Sequence, residues 1–437
     1  MVTSGAIAAH GPAIAHRTVA AQLSARRALG AERILAAATL FALGTRINIT
    51  LGATVGFVVS VVFAPLWLRT LSRFAGARLY CCVGLIALLF GVTLSQLAAA
   101  DHVVLRHNTF ATIFLLLELV TGVGVVLWAR TLFRPAQVGV FFAAGLILNA
   151  LLSPGVLGAT NPLKFAWLVP LAALILSALN WEGTLGRQLV AVLALAGLAI
   201  VADARALFGT GLVVAVLLAW QFRPRVRGLG SSWTWTAGML VALGLAAYNL
   251  ATTLLIKGYL GSAAQLRSIR EVQTSGSLLL GGRPELSATW TLFRHFPGGF
   301  GPGVVANVHQ INIAKAGMVS INYQPNNGYV DTFMFGSAVE LHSTLGDLWA
   351  AFGYGGILFC LTAIVLIIVN VSKVVVYRRG AAVALFFGLW SLWNMLFSPL
   401  LSAAPTLLFA VGLLLAEREP VQPEATEPEP ARPEPAL

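Results

Sequence analysis

Runs of roughly twenty apolar residues recur along this chain from Ile34 to Leu415, parted by short polar patches and one long loop. A helix of about that length crosses roughly 30 Å of hydrocarbon. The pattern therefore predicts an all-α polytopic membrane protein embedded in a lipid bilayer. Hydrophobic residues make up 58% of the 437-residue chain and charged residues 10%, where a soluble domain carries about a quarter charged. The length thus divides into spans rather than into globular domains.

Twelve spans are expected near 34–50, 51–68, 79–98, 110–129, 137–157, 162–180, 187–202, 207–222, 235–256, 354–376, 381–397 and 400–416. Spans one and two are divided only by Thr45, Arg46, Asn48 and Thr50, and spans eleven and twelve share the Pro399-to-Pro405 region as a bent pair. The domain plan is a cytoplasmic segment 1–33, spans one to nine over 34–256, a large loop 257–353, spans ten to twelve over 354–416, and a tail 417–437. That tail is dominated by proline and glutamate and is expected to be disordered. The first thirty residues show no signal-peptide pattern.

Basic residues set the orientation. With the N-terminus inside, cytoplasmic segments hold Arg17, Arg26, Arg27, Arg33, Arg69, Arg73, Arg78, Arg130, Arg134, Arg187, Arg223, Arg225, Arg227, Lys373, Arg378 and Arg379. The short loops on the other side hold only Arg46, Arg106, Lys164 and Arg205. The formal charge of +12 is thereby explained by topology, and a nucleic-acid partner is excluded. The large loop falls outside the cytoplasm. It carries Lys257, Arg267, Arg270, Arg283, Arg294 and Lys315 against the trend, which long loops tolerate. Cys81, Cys82 and Cys360 all lie in or beside apolar runs, so neither a disulfide nor a cysteine metal site is expected in that loop.

The loop is rich in aromatics, with Trp290, Phe293, Phe296, Phe300, Tyr323, Tyr329, Phe333 and Phe335 available to pack onto the membrane surface. In 281–303 a glycine turn precedes Arg283, and Glu285 to Phe296 has helical spacing with Leu286, Trp290 and Phe293 on one face. The sequence PGGFGPG follows, with backbone able to take positive φ and approach a ligand. Residues 322–333 are turn-rich at PNNG. Then His342, Leu345, Leu348 and Trp349 predict a helix that ends at the glycines opening span ten.

This order of residues resembles the O-antigen ligase and O-antigen polymerase superfamily of bacterial membrane glycosyltransferases: an arginine, a tryptophan, P-x-G-x-G-x-G, then a histidine followed by L-x-x-L and a glycine-rich helix entry. A second likeness is the stretch 201–220, in which Arg205 opens a span. Ala204 stands where a serine is usual before that arginine, and Ser343 where many relatives carry asparagine after the histidine.

The resemblance implies a cell-envelope enzyme of polysaccharide biosynthesis in the bacterial cytoplasmic (inner) membrane, active on the extracytoplasmic face. It implies a polyprenyl-diphosphate-linked glycan as donor and a hydroxyl on a glycan, lipid or protein as acceptor. Negative charge develops on the leaving diphosphate, and arginine stays protonated and binds phosphate oxygens in a planar fork. Arg205 and Arg283 take that role by resemblance, and Arg270, with Arg267 one turn away, forms a second clamp. By the same resemblance His342 is expected to act as the catalytic base, a role open to an imidazole. Asp347 or Glu340 orients it; His295 and His309 are weaker candidates.

Blander roles stand beside these: a snorkelling residue for Arg205, a solvated charge for Arg283, and a structurally hydrogen-bonded helix histidine for His342. Glu118, in mid-span, is expected to form a structural ion pair with Arg46 or Lys164. No metal or other cofactor is expected, because the loop lacks HExxH and paired-cysteine spacings. The open alternatives are a repeat-unit polymerase of the same superfamily, a transferase using polyprenyl monophosphate sugars with Asp101 as its only acidic candidate, and a flippase or exporter of the lipid-linked glycan.

Overall fold

In the computed structural model the described residues are 11–158, 160–182, 184–222, 233–259, 261–378 and 381–418. Arg223, Arg225, Arg227, Arg379 and the tail beyond Arg418 lie outside them, as do the side chains of Arg17, Arg26 and Arg27. The described residues are all-α apart from one short hairpin and two isolated β-bridges.

Helix α1 (Gly11–Thr45) is followed by β1 (Asn48–Thr50) and β2 (Ala53–Thr54). The polar patch between the first two apolar runs is thus a hairpin, turned at Leu51 and Gly52, both with positive φ. The second run is broken: α2 (Val55–Val62) and α3 (Ala64–Leu68) meet at a bend of 63°. Pro65 stands in the first turn of α3, where its missing N–H costs the helix nothing.

Then come α4 (Ala77–Ala98), α5 (Arg106–Leu132), α6 (Pro135–Leu151), the short α7 (Pro154–Leu157), α8 (Leu168–Glu182) entered through a π turn at Leu163–Trp167, α9 (Leu185–Val201), α10 (Arg205–Gln221) and α11 (Trp233–Ile256). The loop region folds as α12 (Ser262–Ser275), α13 (Leu278–Gly282), α14 (Glu285–His295), α15 (Val308–Val319) and a π turn at Val330–Met334. It returns to the bundle through α16 (Thr344–Val376), α17 (Ala382–Phe397) and α18 (Leu400–Leu414).

Among the described residues, five helices are long and apolar enough to cross a membrane: the Ala28–Thr45 part of α1, α4, α5, the Gly238–Ile256 part of α11, and α16. The bent α2–α3 pair makes a possible sixth, and six further apolar helices have 10–17 residues. The lipid-like exterior is most evident on α11, which exposes Val241, Leu245 and Leu250.

Small residues let the helices approach closely, as membrane bundles require when lipid is as apolar as the side chains. Gly44 of α1 and Gly145 of α6 face each other so closely that a Cβ on either would strike the other helix's backbone. In α4, Gly84 and Gly91 receive Phe359 and Phe352 of α16. One apolar core runs through the bundle around Trp128, Phe142, Phe387 and Phe409. A second, smaller core holds the loop region together around Leu292, Met318, Met334, Leu341 and Trp349.

The tail was expected to be disordered from residue 417, yet Glu417 pairs with Phe74 in a β-bridge and Arg418 N–H donates to the Arg73 carbonyl at 2.7 Å. Spans eleven and twelve are two separate helices, since α17 stops at Phe397 and α18 starts afresh after extended Ser398 and Pro399.

Candidate functional site

The α9–α10 turn starts the site. Asn161 Nδ2 donates to the Ala202 carbonyl at 2.7 Å, and Lys164 Nζ donates to the Asp203 carbonyl at 2.8 Å. Asp203 takes a left-handed conformation, φ 48°, and the next turn begins α10 at Arg205. The guanidinium therefore stands at a helix N-terminus, where the dipole adds positive potential. It is 24% exposed, lies 3.8 Å from Asp203 Oδ1 and 3.6 Å from Glu271 Oε2, and donates to Ser268 Oγ at 3.2 Å.

Glu271 and Ser268 both come from α12. Glu271 also accepts from Arg267 Nε at 3.0 Å. Packed onto Glu271 are Gly281 and Gly282, so close that a Cβ on Gly281 would strike the Glu271 backbone. Arg283 follows at once. It is half-buried, and among the described residues its guanidinium makes no ion pair or hydrogen bond. Lys164 sits in the field of Asp203 and of three like charges, Arg267, Arg205 and Arg283. Cations from four separate segments thus converge on one place, and carboxylates are too few to neutralise them.

Arg283 also acts electrostatically on Tyr329. The Tyr329 hydroxyl donates to Glu285 Oε1 at 2.5 Å, and its ring stands 5.8 Å from the His342 imidazole. Glu285 is 7% exposed, and its Oε2 has no hydrogen-bond partner among the described residues. Burial, then the adjoining Glu285 carboxylate, pushes the Tyr329 phenol well above its ordinary pKa, so it remains a donor at any physiological pH. His342 is half-buried with left-handed backbone, φ 54°. Its Nδ1 lies 3.4 Å from the Glu340 carbonyl.

The sequence-expected residues do not all meet. Arg205 is tied to α12 through Glu271 and Ser268, and His342 faces the Tyr329 ring, while Arg283 reaches Lys164 and Tyr329 only through its field. Arg270 does not join them: the side chain is exposed and makes no ion pair or hydrogen bond among the described residues, while Arg267, one turn earlier, carries the contact to Glu271. Asp347 does not orient His342. Its two oxygens accept from the Leu341 and Leu400 N–H groups at 2.7 and 2.8 Å, tying the segment before His342 to the start of α18. His342 itself precedes the helix, since Ser343 Oγ caps α16 by accepting from Gly346 N–H.

The glycine-rich segment also serves a different purpose from ligand approach. Gly299, Gly301 and Gly303 all have positive φ, but their backbone is pressed against α4, α5 and α16. Phe300 and Gly301 N–H donate to the Ala350 carbonyl at 2.8 and 3.0 Å, and Ser95 Oγ donates to the Pro302 carbonyl at 3.0 Å. Gly353, φ 56°, breaks α16 where this segment crosses it. Trp290 does not share the packed face of α14: it is 62% exposed, and the helix buries Ala288 and Leu292 instead.

His295 Nδ1 lies 2.8 Å from the Thr291 carbonyl and His309 stands edge-on to Phe296, so both have structural partners. Glu118 accepts from Thr54 Oγ1 at 2.8 Å and lies in the field of Arg46, but among the described residues it forms no ion pair with Arg46 or Lys164. Among the described residues no three of His, Cys, Asp and Glu form a metal cradle.

Beside Arg205, the apolar side chains of Ala199, Ile200, Phe208, Leu255 and Ala264 line a small groove. A larger cavity of about 350 Å³ on the α4–α5 face, lined by Val92, Ser95, Val104, Arg106 and Phe110 among others, holds none of the expected site residues. Sequence patterns do not point to Lys164, Glu271, Glu285 or Tyr329, because no spacing or motif sets them apart from other polar side chains. No family model, curated protein or solved structure matches this chain.

Proposed function

We propose that this chain is a glycosyltransferase that moves a glycan from a polyprenyl-diphosphate carrier to an acceptor hydroxyl on the extracytoplasmic face of a bacterial cytoplasmic membrane, in the manner of the O-antigen ligases it resembles. The observation that carries the reading is Arg283. A half-buried guanidinium with no counter-ion among the described residues, in the field of Lys164 on one side and of Tyr329 beside His342 on the other, suits an anion that arrives with the substrate.

In this reading Arg205 and Arg283 hold the diphosphate. The acceptor oxygen forms a bond to the anomeric carbon, the bond from that carbon to the phosphate oxygen breaks, and its electron pair leaves on the diphosphate. The acceptor proton passes to His342. Fixed cations where charge develops lower the barrier, by about 3 kcal/mol or more for a single well-aimed donor in comparable sites. The apolar groove at Ala199, Phe208 and Leu255 accommodates the first part of the lipid chain. Twelve spans belong to the same proposal. Apolar helical segments stand at every expected span position, and an even number leaves both termini on the cytoplasmic side.

The test is glycan transfer by purified protein from a polyprenyl-diphosphate donor with EDTA present, comparing wild type, Arg283→Ala and His342→Ala. Transfer by wild type and loss in both folded variants supports the mechanism. Normal transfer by the variants overturns the site. No transfer from any lipid-linked donor, with movement of the donor across vesicles, replaces the transferase with an exporter.

A further inference from the structure

Glu271 was not among the residues that sequence patterns singled out, yet its carboxylate is the point on which the cations converge. Oε2 lies 3.6 Å from Arg205 Nη1, and Oε1 lies 3.0 Å from Arg267 Nε. A Cβ on Gly282 would stand 3.6 Å from the same carboxylate, so the chain leading into Arg283 passes directly over it. The glycine pair is required for this approach, because any side chain at Gly281 would strike the α12 backbone. The Glu271 side chain is only 13% exposed, whereas Arg267 is 60% exposed.

An exposed pair four residues apart on one helix contributes little. Glu271 differs in also reaching Arg205 from another helix and in lying beneath the segment that presents Arg283. It stands where an incoming phosphate oxygen would be best placed, and it bears the same charge.

We propose that Glu271 is a built-in counter-anion that sets how tightly this site holds a diphosphate, and so favours release of the spent carrier. The inference rests on the diphosphate reading above. Repulsion from a fixed carboxylate grows with the charge of the ligand. A glycosylated diphosphate is esterified at both ends, with one ionised oxygen on each phosphate. The leaving polyprenyl diphosphate has one further ionisable oxygen, so Glu271 weakens the product more than the donor. Without it, Arg205 and Arg283, with Arg267 no longer neutralised beside them, would hold the more highly charged product more strongly, and turnover would stall on release. Glu271 thus discriminates by charge and does not take part in the bond-breaking step.

The experiment is titration calorimetry on the purified full chain in detergent, with inorganic pyrophosphate and orthophosphate as separate probes. Glu271→Gln keeps the shape and removes the charge. It is expected to bind pyrophosphate roughly tenfold more tightly than wild type at low salt, with a smaller gain for orthophosphate, and the gain shrinks as salt rises. Wild-type binding that stays equal or weakens in Glu271→Gln overturns the proposal and makes Glu271 a positioning residue for Arg205. Failure of both folded proteins to bind pyrophosphate overturns the anion site itself, and the proposal with it.

If Glu271→Gln does not fold, Arg267→Gln takes its place, leaving Glu271 to neutralise Arg205 alone. It is expected to weaken pyrophosphate binding more than Arg294→Gln, an exposed arginine of α14. Equal losses in the two variants overturn the proposal.

Discussion

The ring of Tyr329 stands 5.8 Å from the imidazole of His342 while its hydroxyl is given to Glu285. One side chain thereby joins the histidine to the first turn of α14, two residues after Arg283. Tyr329→Phe keeps the ring and removes the donor. Glu285, already lacking a partner at Oε2, then has two unsatisfied buried oxygens. The expected cost is about 1–3 kcal/mol, read as a lower melting temperature in detergent. Glycan transfer should fall mainly in kcat, because the donor still meets Arg205 and Arg283. An unchanged melting temperature would remove the Glu285–Tyr329 bond from the account.

Arg283 should tolerate no replacement well. Lysine keeps the charge but cannot offer a planar fork to two phosphate oxygens. Arg283→Lys is expected to raise the donor KM and lower kcat, with Arg283→Ala worse by a further 10-fold or so, the size of one charge-assisted hydrogen bond. Steady-state kinetics with a polyprenyl-diphosphate donor decide it, and lysine activity equal to wild type would speak for a solvated charge.

Asp347 holds two backbone N–H groups at once, Leu341 from the loop and Leu400 from α18. Asn has a single acceptor oxygen and turns a donor amide toward the other N–H. Asp347→Asn is therefore expected to lose about 1–3 kcal/mol of stability, with α18 becoming loosened at its start. Hydrogen exchange at Leu400 and thermal unfolding both report it. Full retention of stability with loss of transfer alone would return Asp347 to a catalytic role.

The glycine segment offers a comparison within six residues. Gly298 has open space around its Cβ position, whereas Gly301, with φ 108°, would strike the Ser95 backbone at 2.6 Å. Gly298→Ala should fold and elute as wild type. Gly301→Ala should aggregate or fail to accumulate, since strain and overlap there together exceed what a loop can absorb. Size-exclusion chromatography after detergent extraction separates the outcomes. Equal behaviour would make the segment a ligand loop after all.

Hydropathy and residue order determined that this chain is helical, that several of its helices are apolar enough to cross a membrane, which segment forms the long loop and that Arg205, Arg283 and His342 merit attention, because apolar run length and short motifs are local and survive in one dimension. Tertiary structure decided which charges meet. Lys164 reaches Asp203 across the α9–α10 turn, Glu271 reaches Arg205 from α12, and Tyr329 reaches Glu285 from beyond α15. Each partner lies dozens of residues away along the chain, and no spacing rule links such positions. The glycines at 299, 301 and 303 show the same limit: positive φ was legible, but not whether a ligand or a neighbouring helix would occupy the space that a missing Cβ leaves open.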